Sequence, residues 1–342
     1  MQAFTFLGLR GEVLVGLTLL LVLTAYAVLA GADFGGGIWD LLAAGPRREE
    51  QRQTIAHAIG PVWEANHVWL IFLIVILFMA FPTAYAALSV ALFVPFHLVL
   101  AGIVLRGAAF VFRAHYHMAT PAWHAWARVF GSASIVTPSI LGATLSAVAS
   151  GGIRVANGAV TVDPALAWFS PVSLLIGALT LAVCAYLAAV YLTVETRGAL
   201  QADFRAHALH AWWTVALLPA LLLVLVYLRS HLLWQHFARL QSLPPMAVGA
   251  VLALLSGWAV FTRRFRLARV LAVGEVIILL WGWAFAQWPY LVYPDLSVWA
   301  TAAPARTLRF LLATLPFGFA LLLPSLWLLF KVFKSGPDRT HP

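Results

Sequence analysis

The chain has 342 residues, of which 63% are hydrophobic and only 10% charged, and its formal net charge is +9. Soluble domains carry about a quarter charged residues, so this composition excludes one. It points to an all-α, polytopic transmembrane helical protein. The positive balance does not argue for nucleic acid, because no aromatic-and-basic binding surface or groove-reading motif accompanies it.

Runs long enough to cross roughly 30 Å of hydrocarbon fall at about 12–31, 60–81, 84–111, 128–149, 169–194, 207–228, 246–262, 269–287 and 309–333. Nine spans are expected; the seventh is the shortest, which leaves eight as the alternative. They divide into two four-helix bundles and one peripheral helix, the first bundle over 1–150 and the second, with the C-terminal helix, over 151–342. The first span ends in AVLAGA, which resembles a cleavage site, but its run is long and flanked only by Arg10 and Glu12, so it reads as a retained helix.

Asp33 follows, in GADFGGGIWD. Gly31, Gly35, Gly36 and Gly37 around it suit close helix contact, since the segment lacks the setting and lysine of a nucleotide loop. PRREEQRQTIAHAI, beginning at Pro46, is amphipathic and reads as a short surface helix. The next stretch, GPVWEANHVWLIFLIVILFMAFPTAYAALS from Gly60 to Ser89, places Glu64, Asn66 and His67 at the mouth of an apolar span. An ionisable group is costly there and usually faces a bundle interior or a hydrated path. Trp63, Asn66 and His67 lie near Glu64, and Glu64 and His67 are spaced to touch.

At 1.5 Å per residue, Asp33 lies near the inner end of the first span and Glu64 near the inner start of the second. Arg106 comes about 22 residues after the third span enters at Ala84. Three charges from three helices are therefore expected at one depth, near the inner edge. Two readings stand side by side. One is a structural ion cluster in which Arg106 neutralises an acid. The other is a proton path through Asp33, Glu64, His67 and Arg106, with Trp63 and Asn66 supporting it.

Farther along, Cys184 sits inside the fifth span and suits apolar packing. Glu195 and Glu275 fall near the inner edge, with Arg197 and Arg269 as available partners. His115, His117, His124, His207, His210, His231, His236 and His341 fall in loops or at helix ends. His57, His67 and His97 lie in or near the first bundle, but His67 and His97 differ in depth, which favours helix-packing roles over a haem ligand pair. No metal site within the chain is expected.

Orientation follows from the basic residues. One side receives Arg47, Arg48, Arg52, Arg113, Arg128, Arg197, Arg205, Arg263, Arg264, Arg266, Arg269, Lys331, Lys334 and Arg339; the other receives Arg10, Arg154, Arg229, Arg239, Arg306 and Arg309. Positive residues concentrate in cytoplasmic loops. The N-terminus is expected outside and the C-terminus in the cytoplasm, in a bacterial inner membrane.

Four segments carry a family resemblance: GADFGGGIWDLL at 31–42, the run from Arg52 through IAHAIGPVWEANHVWLI to Ile71, FPTAYAALS at 81–89 and RGAAFVFR at 106–113, with YLTVETRGALQ at 191–201 as a weaker one. Together the chain resembles subunit II of the cytochrome bd-type quinol oxidases, including the cyanide-insensitive branch. The resemblance implies a subunit of a quinol:oxygen oxidoreductase that packs beside a haem-bearing subunit I. Haem b, haem d and quinol oxidation are expected in that partner, with no haem ligated here. It also implies a role in assembly and in carrying cytoplasmic protons, with Asp33, Glu64 and Arg106 at the matching positions. Many relatives have aspartate where Glu64 stands. A small single-span accessory subunit, and a structural quinone or lipid between helices, are compatible additions. The rival functions are a proton-coupled secondary transporter and a purely structural assembly subunit.

Overall fold

The computed structural model describes residues 5–6, 9–116, 120–161, 168–229, 234–235 and 243–334. His117, His231, His236, His341, Arg239 and Arg339 lie outside these residues. Nine helices among the described residues are long and apolar enough to cross a membrane, so the molecule is an all-α, multi-pass membrane protein.

The long helices of the first half are α1 (Gly11–Leu42), α2 (Arg48–Ala80), α4 (Phe93–Ala114) and α5 (Pro121–Ala149). Those of the second half are α6 (Pro171–Glu195), α7 (Gly198–Arg229), α8 (Leu243–Phe261) and α9 (Phe265–Gln287), followed by α11 (Ala305–Lys334). Short helices α3 (Pro82–Ala91) and α10 (Val298–Thr301) and three two-stranded hairpins complete the described structure. Two of the hairpins, β3–β4 (Val155–Ala156 with Ala159–Val160) and β5–β6 (Tyr290–Val292 with Leu296–Ser297), lie at the same end of the molecule.

Two sequence expectations change here. The surface helix expected from Pro46 is not separate, because α2 runs unbroken from Arg48 through Pro61 to Ala80. Its first three turns bury Gln51, Arg52, Ile55 and Ile59, so the charged start is an extension of the span itself. The third span does not begin at Ala84. The chain leaves α2 at Phe81, forms the short α3, breaks at Leu92 and enters α4 at Phe93.

The core centres on α1 and α6, which pack on each other and on α5. Glycines let them approach: a Cβ at Gly35 would meet the Cys184 carbonyl, and one at Gly37 would meet Ser134. Cys184 is buried and free, in the packing position expected for it. One apolar cluster extends from Val15 and Val22 through Tyr186, Phe204 and Val276 to Leu308, so both halves share it. α11 rests on α1 and α2 at the edge, with Phe319 against Trp69 and Phe72.

Candidate functional site

Asp33 and Asp40 stand seven residues apart on α1, and Arg106 and Arg113 stand seven apart on α4. Seven residues are nearly two turns, so each pair shares a face about 10 Å apart along its axis. The helices run in the same direction, and their side chains meet in two rungs. In the deeper rung, Arg106 Nη1 donates to Asp33 Oδ2 at 2.7 Å and Nη2 to Oδ1 at 2.6 Å, while Nη2 also reaches the Asp33 carbonyl at 2.8 Å. The remaining Nε donates to Ser134 at 2.8 Å, and the guanidinium lies over Phe130 and Phe34. Asp33 and Arg106 are 1% and 2% exposed, so this fork-to-fork pair is wholly desolvated. In the second rung Arg113 Nη1 donates to Asp40 Oδ2 at 2.7 Å, and Arg52 Nε donates to the Asp40 carbonyl at 3.1 Å.

Asn66 completes the deeper rung from α2, its Nδ2 donating to Asp33 Oδ2 at 2.6 Å. Two residues on a helix differ by about 200° in direction. Fixing Asn66 inward therefore turns Glu64 outward, and Glu64 is exposed. Of the three charges expected at one depth, Asp33 and Arg106 pair, and Glu64 faces the other way. Among the described residues no hydrogen bond or ion pair joins Glu64 to His67. His67 turns its Nδ1 to the Trp63 carbonyl at 2.7 Å and its ring edge-on to the Trp63 indole, on the Asp33 side. Asp33 lies nine residues, roughly 14 Å, before the end of α1. The helices outlast their apolar runs, so the residue nearest the helix ends is Asp40.

Glu64 heads a bare stripe. Val68, Ile71, Val75 and Phe78 follow it at helical spacing and are 39%, 63%, 42% and 57% exposed. The inner side of the same turn borders a cavity of about 10 Å³ lined by Tyr26, Asp33, Phe34, Trp63, Asn66, His67, Ile103 and Arg106. That is room for about one water.

These features coincide with a known family. The model for cytochrome bd terminal oxidase subunit II matches residues 12–333. The chain belongs to that family. It is 23% identical over 320 residues, 90% of this chain and 91% of the other, to a Bacillus subtilis (strain 168) protein bearing the name of a cytochrome bd menaquinol oxidase subunit II. It is 35% identical to cytochrome bd-I ubiquinol oxidase subunit 2 of Escherichia coli (strain K12), over 92 residues that make up 27% of this chain and 24% of that one. Its fold is similar to a chain of the bd oxidase from Geobacillus thermodenitrificans, with a TM-score of 0.79 and 22% identity, covering 94% of this chain and 98% of that chain.

Membership in the cytochrome bd subunit II family ties the chain to an oxidoreductase complex with a subunit I and with haems. The residues around the cluster do not fit a haem. An axial histidine must face a ring-sized space, whereas His67 faces a one-water cavity.

In this subunit II the second half holds its own acids. Glu195 meets Arg269, one of the two arginines expected to be available to these acids, at 3.7 Å. Glu275 is 5% exposed and its Oε2 has no hydrogen-bond partner among the described residues. Sequence reading missed the Asp40–Arg113 rung, although the common spacing of seven in both motifs carried its signal. It also missed His207, which is not a loop histidine but stacks on Trp39 with ring centroids 4.4 Å apart.

Proposed function

We propose that this chain is the supporting subunit of a cytochrome bd-type quinol oxidase that reduces oxygen to water, and that it delivers protons to a haem-bearing subunit I through Glu64. The N-terminus then lies outside and the C-terminus in the cytoplasm, as the basic residues favour. The haem chemistry and quinol oxidation belong to the partner. The observation that carries this reading is the exposed Glu64 carboxyl at the head of an uncovered apolar stripe on α2. A lone carboxyl facing lipid would be costly, so a protein surface is the natural cover for it.

The roles of the candidate residues divide accordingly. Asp33 accepts three side-chain hydrogen bonds, two of them from one guanidinium, which suits a fixed counter-ion better than a proton carrier. Arg106 fixes Asp33, Asn66 ties α2 to that pair, and Trp63 and His67 line the one-water cavity behind Glu64. A secondary transporter needs a site that opens to both sides, and an ion-paired cluster beside a one-water cavity offers little room for one.

The test is turnover per haem in the purified complex. Glu64→Gln is expected to lower it by at least about tenfold, the scale on which a positioned proton donor acts, with assembled yield unchanged and Glu64→Asp keeping part of the rate. Full turnover in the glutamine variant with reduced yield would instead support a purely structural subunit.

A further inference from the structure

A second cavity, of about 130 Å³, opens between the start of α2 and the start of α5, lined by Leu41, Arg48, Arg52, His124, Ala127 and Arg128. It has about ten times the space that admits one water. Every side chain in its lining that carries or can carry charge is basic. Arg48 and Arg128 are exposed and have no carboxylate partner among the described residues. Arg52 is buried beside the Asp40 carbonyl, but the Asp40 carboxylate is held by Arg113. The acids nearest in sequence, Glu49 and Glu50, do not line the cavity, and Glu50 acts on Arg47. Both helices begin here, so their dipoles add to the positive field.

Guanidiniums gathered around an open cavity, two of them without a carboxylate partner among the described residues, repel one another unless an anion joins them. Arginine forks match phosphate oxygens two at a time, and basic pockets between membrane helices on the cytoplasmic side take lipid headgroups. We infer that this cleft is a phosphate-binding site, formed by Arg48, Arg52, His124 and Arg128, that takes a phosphate group borne by an anionic lipid or free in solution. Arg52, already fixed by the Asp40 carbonyl and lying over Trp123, forms its rigid floor, and Arg48 and Arg128 close on the ligand from the two helices.

The experiment uses the intact purified complex in nanodiscs of phosphatidylcholine, to which phosphatidylglycerol, cardiolipin or inorganic phosphate is added. Binding is read by native mass spectrometry and by the shift in thermal unfolding. Wild type is expected to retain one anionic lipid or one phosphate per chain. The double variant Arg48→Gln, Arg128→Gln should bind about thirtyfold more weakly, at roughly one kcal/mol for each arginine near the surface. Lysine at both positions should recover part of that, and Arg266→Gln, an exposed charge on the same basic face, should change little.

Retention of lipid with no competition from phosphate assigns the site to a headgroup; competition by phosphate assigns it to the soluble ion. No retention in wild type would overturn the inference. So would equal weakening in Arg266→Gln, which would show only diffuse attraction to the membrane surface.

Discussion

Arg106 uses all three of its nitrogens on Asp33 and Ser134, which makes it the residue whose loss should be felt most. Arg106→Leu leaves the Asp33 carboxylate buried without its cation, a defect that costs roughly 3–5 kcal/mol. Assembled yield and the unfolding temperature of the complex should both fall. Adding Asp33→Asn should recover part of the loss, because removing both charges of a buried pair is far milder than removing one. If the double variant were no better than the single one, the pair would not be what the arginine holds. Asn66→Ala is a different case. It leaves the ion pair intact but removes the bond that sets the rotation of α2, at a cost of about 1–3 kcal/mol. Its readout is therefore Glu64: turnover should drop along with stability, which a merely local defect at Asn66 would not produce.

At the scale of the helix, close approach is decided by what a methyl would strike. Gly35→Ala drives a Cβ into the Cys184 carbonyl of α6, a backbone atom that cannot turn aside, whereas Gly60 has nothing within 4 Å of the same position. The first substitution should destabilise by about 1–3 kcal/mol through overpacking, and Gly60→Ala should be neutral or mildly stabilising, since alanine is the better helix former. Thermal unfolding of the two variants compares them directly, and equal stability would contradict the tight α1–α6 contact. The spacing of small residues in GADFGGG already carried this contact, as apolar length carried the nine spans. Where sequence reading failed, the reason was also physical. A hydropathy run ends where charge begins, but a helix does not, so the charged start of α2 reads in sequence as a separate element. The facing of Glu64 was equally out of reach, because proximity along a helix says nothing of which neighbour is anchored; the Asn66 bond to another helix decides that. By contrast, the Asp33–Arg106 pair was accessible, since an acid and a base inside a bundle have few alternatives to each other.

The two halves of the molecule meet in the shared core and again at the end bearing the hairpins. There Arg154, before β3, donates through Nε and Nη2 to Asp295, between β5 and β6, at 2.9 and 3.2 Å. The Val155 N–H donates to Asp295 Oδ2 at 2.8 Å, and the Tyr293 N–H to the Val148 carbonyl at 3.1 Å. The Arg154 guanidinium, with the Val155 amide, holds the Asp295 carboxyl below the usual carboxylate range. A value depressed in the folded state contributes stability above the unfolded value of about 3.9. That stability is lost as pH falls through the folded value. Protection of the Val155 amide against hydrogen exchange, corrected for the intrinsic rate, should therefore stay level from neutral pH down to about 5 and fall only below the ordinary carboxylate range. Arg154→Gln removes the cause of the depression, so at neutral pH its amide should already exchange faster than in wild type. The membrane helices should be unaffected in either protein, because their contacts do not depend on this clip. Unchanged exchange at neutral pH in Arg154→Gln would mean that the backbone bond from Tyr293 to Val148, and not the ion pair, joins the halves at this end.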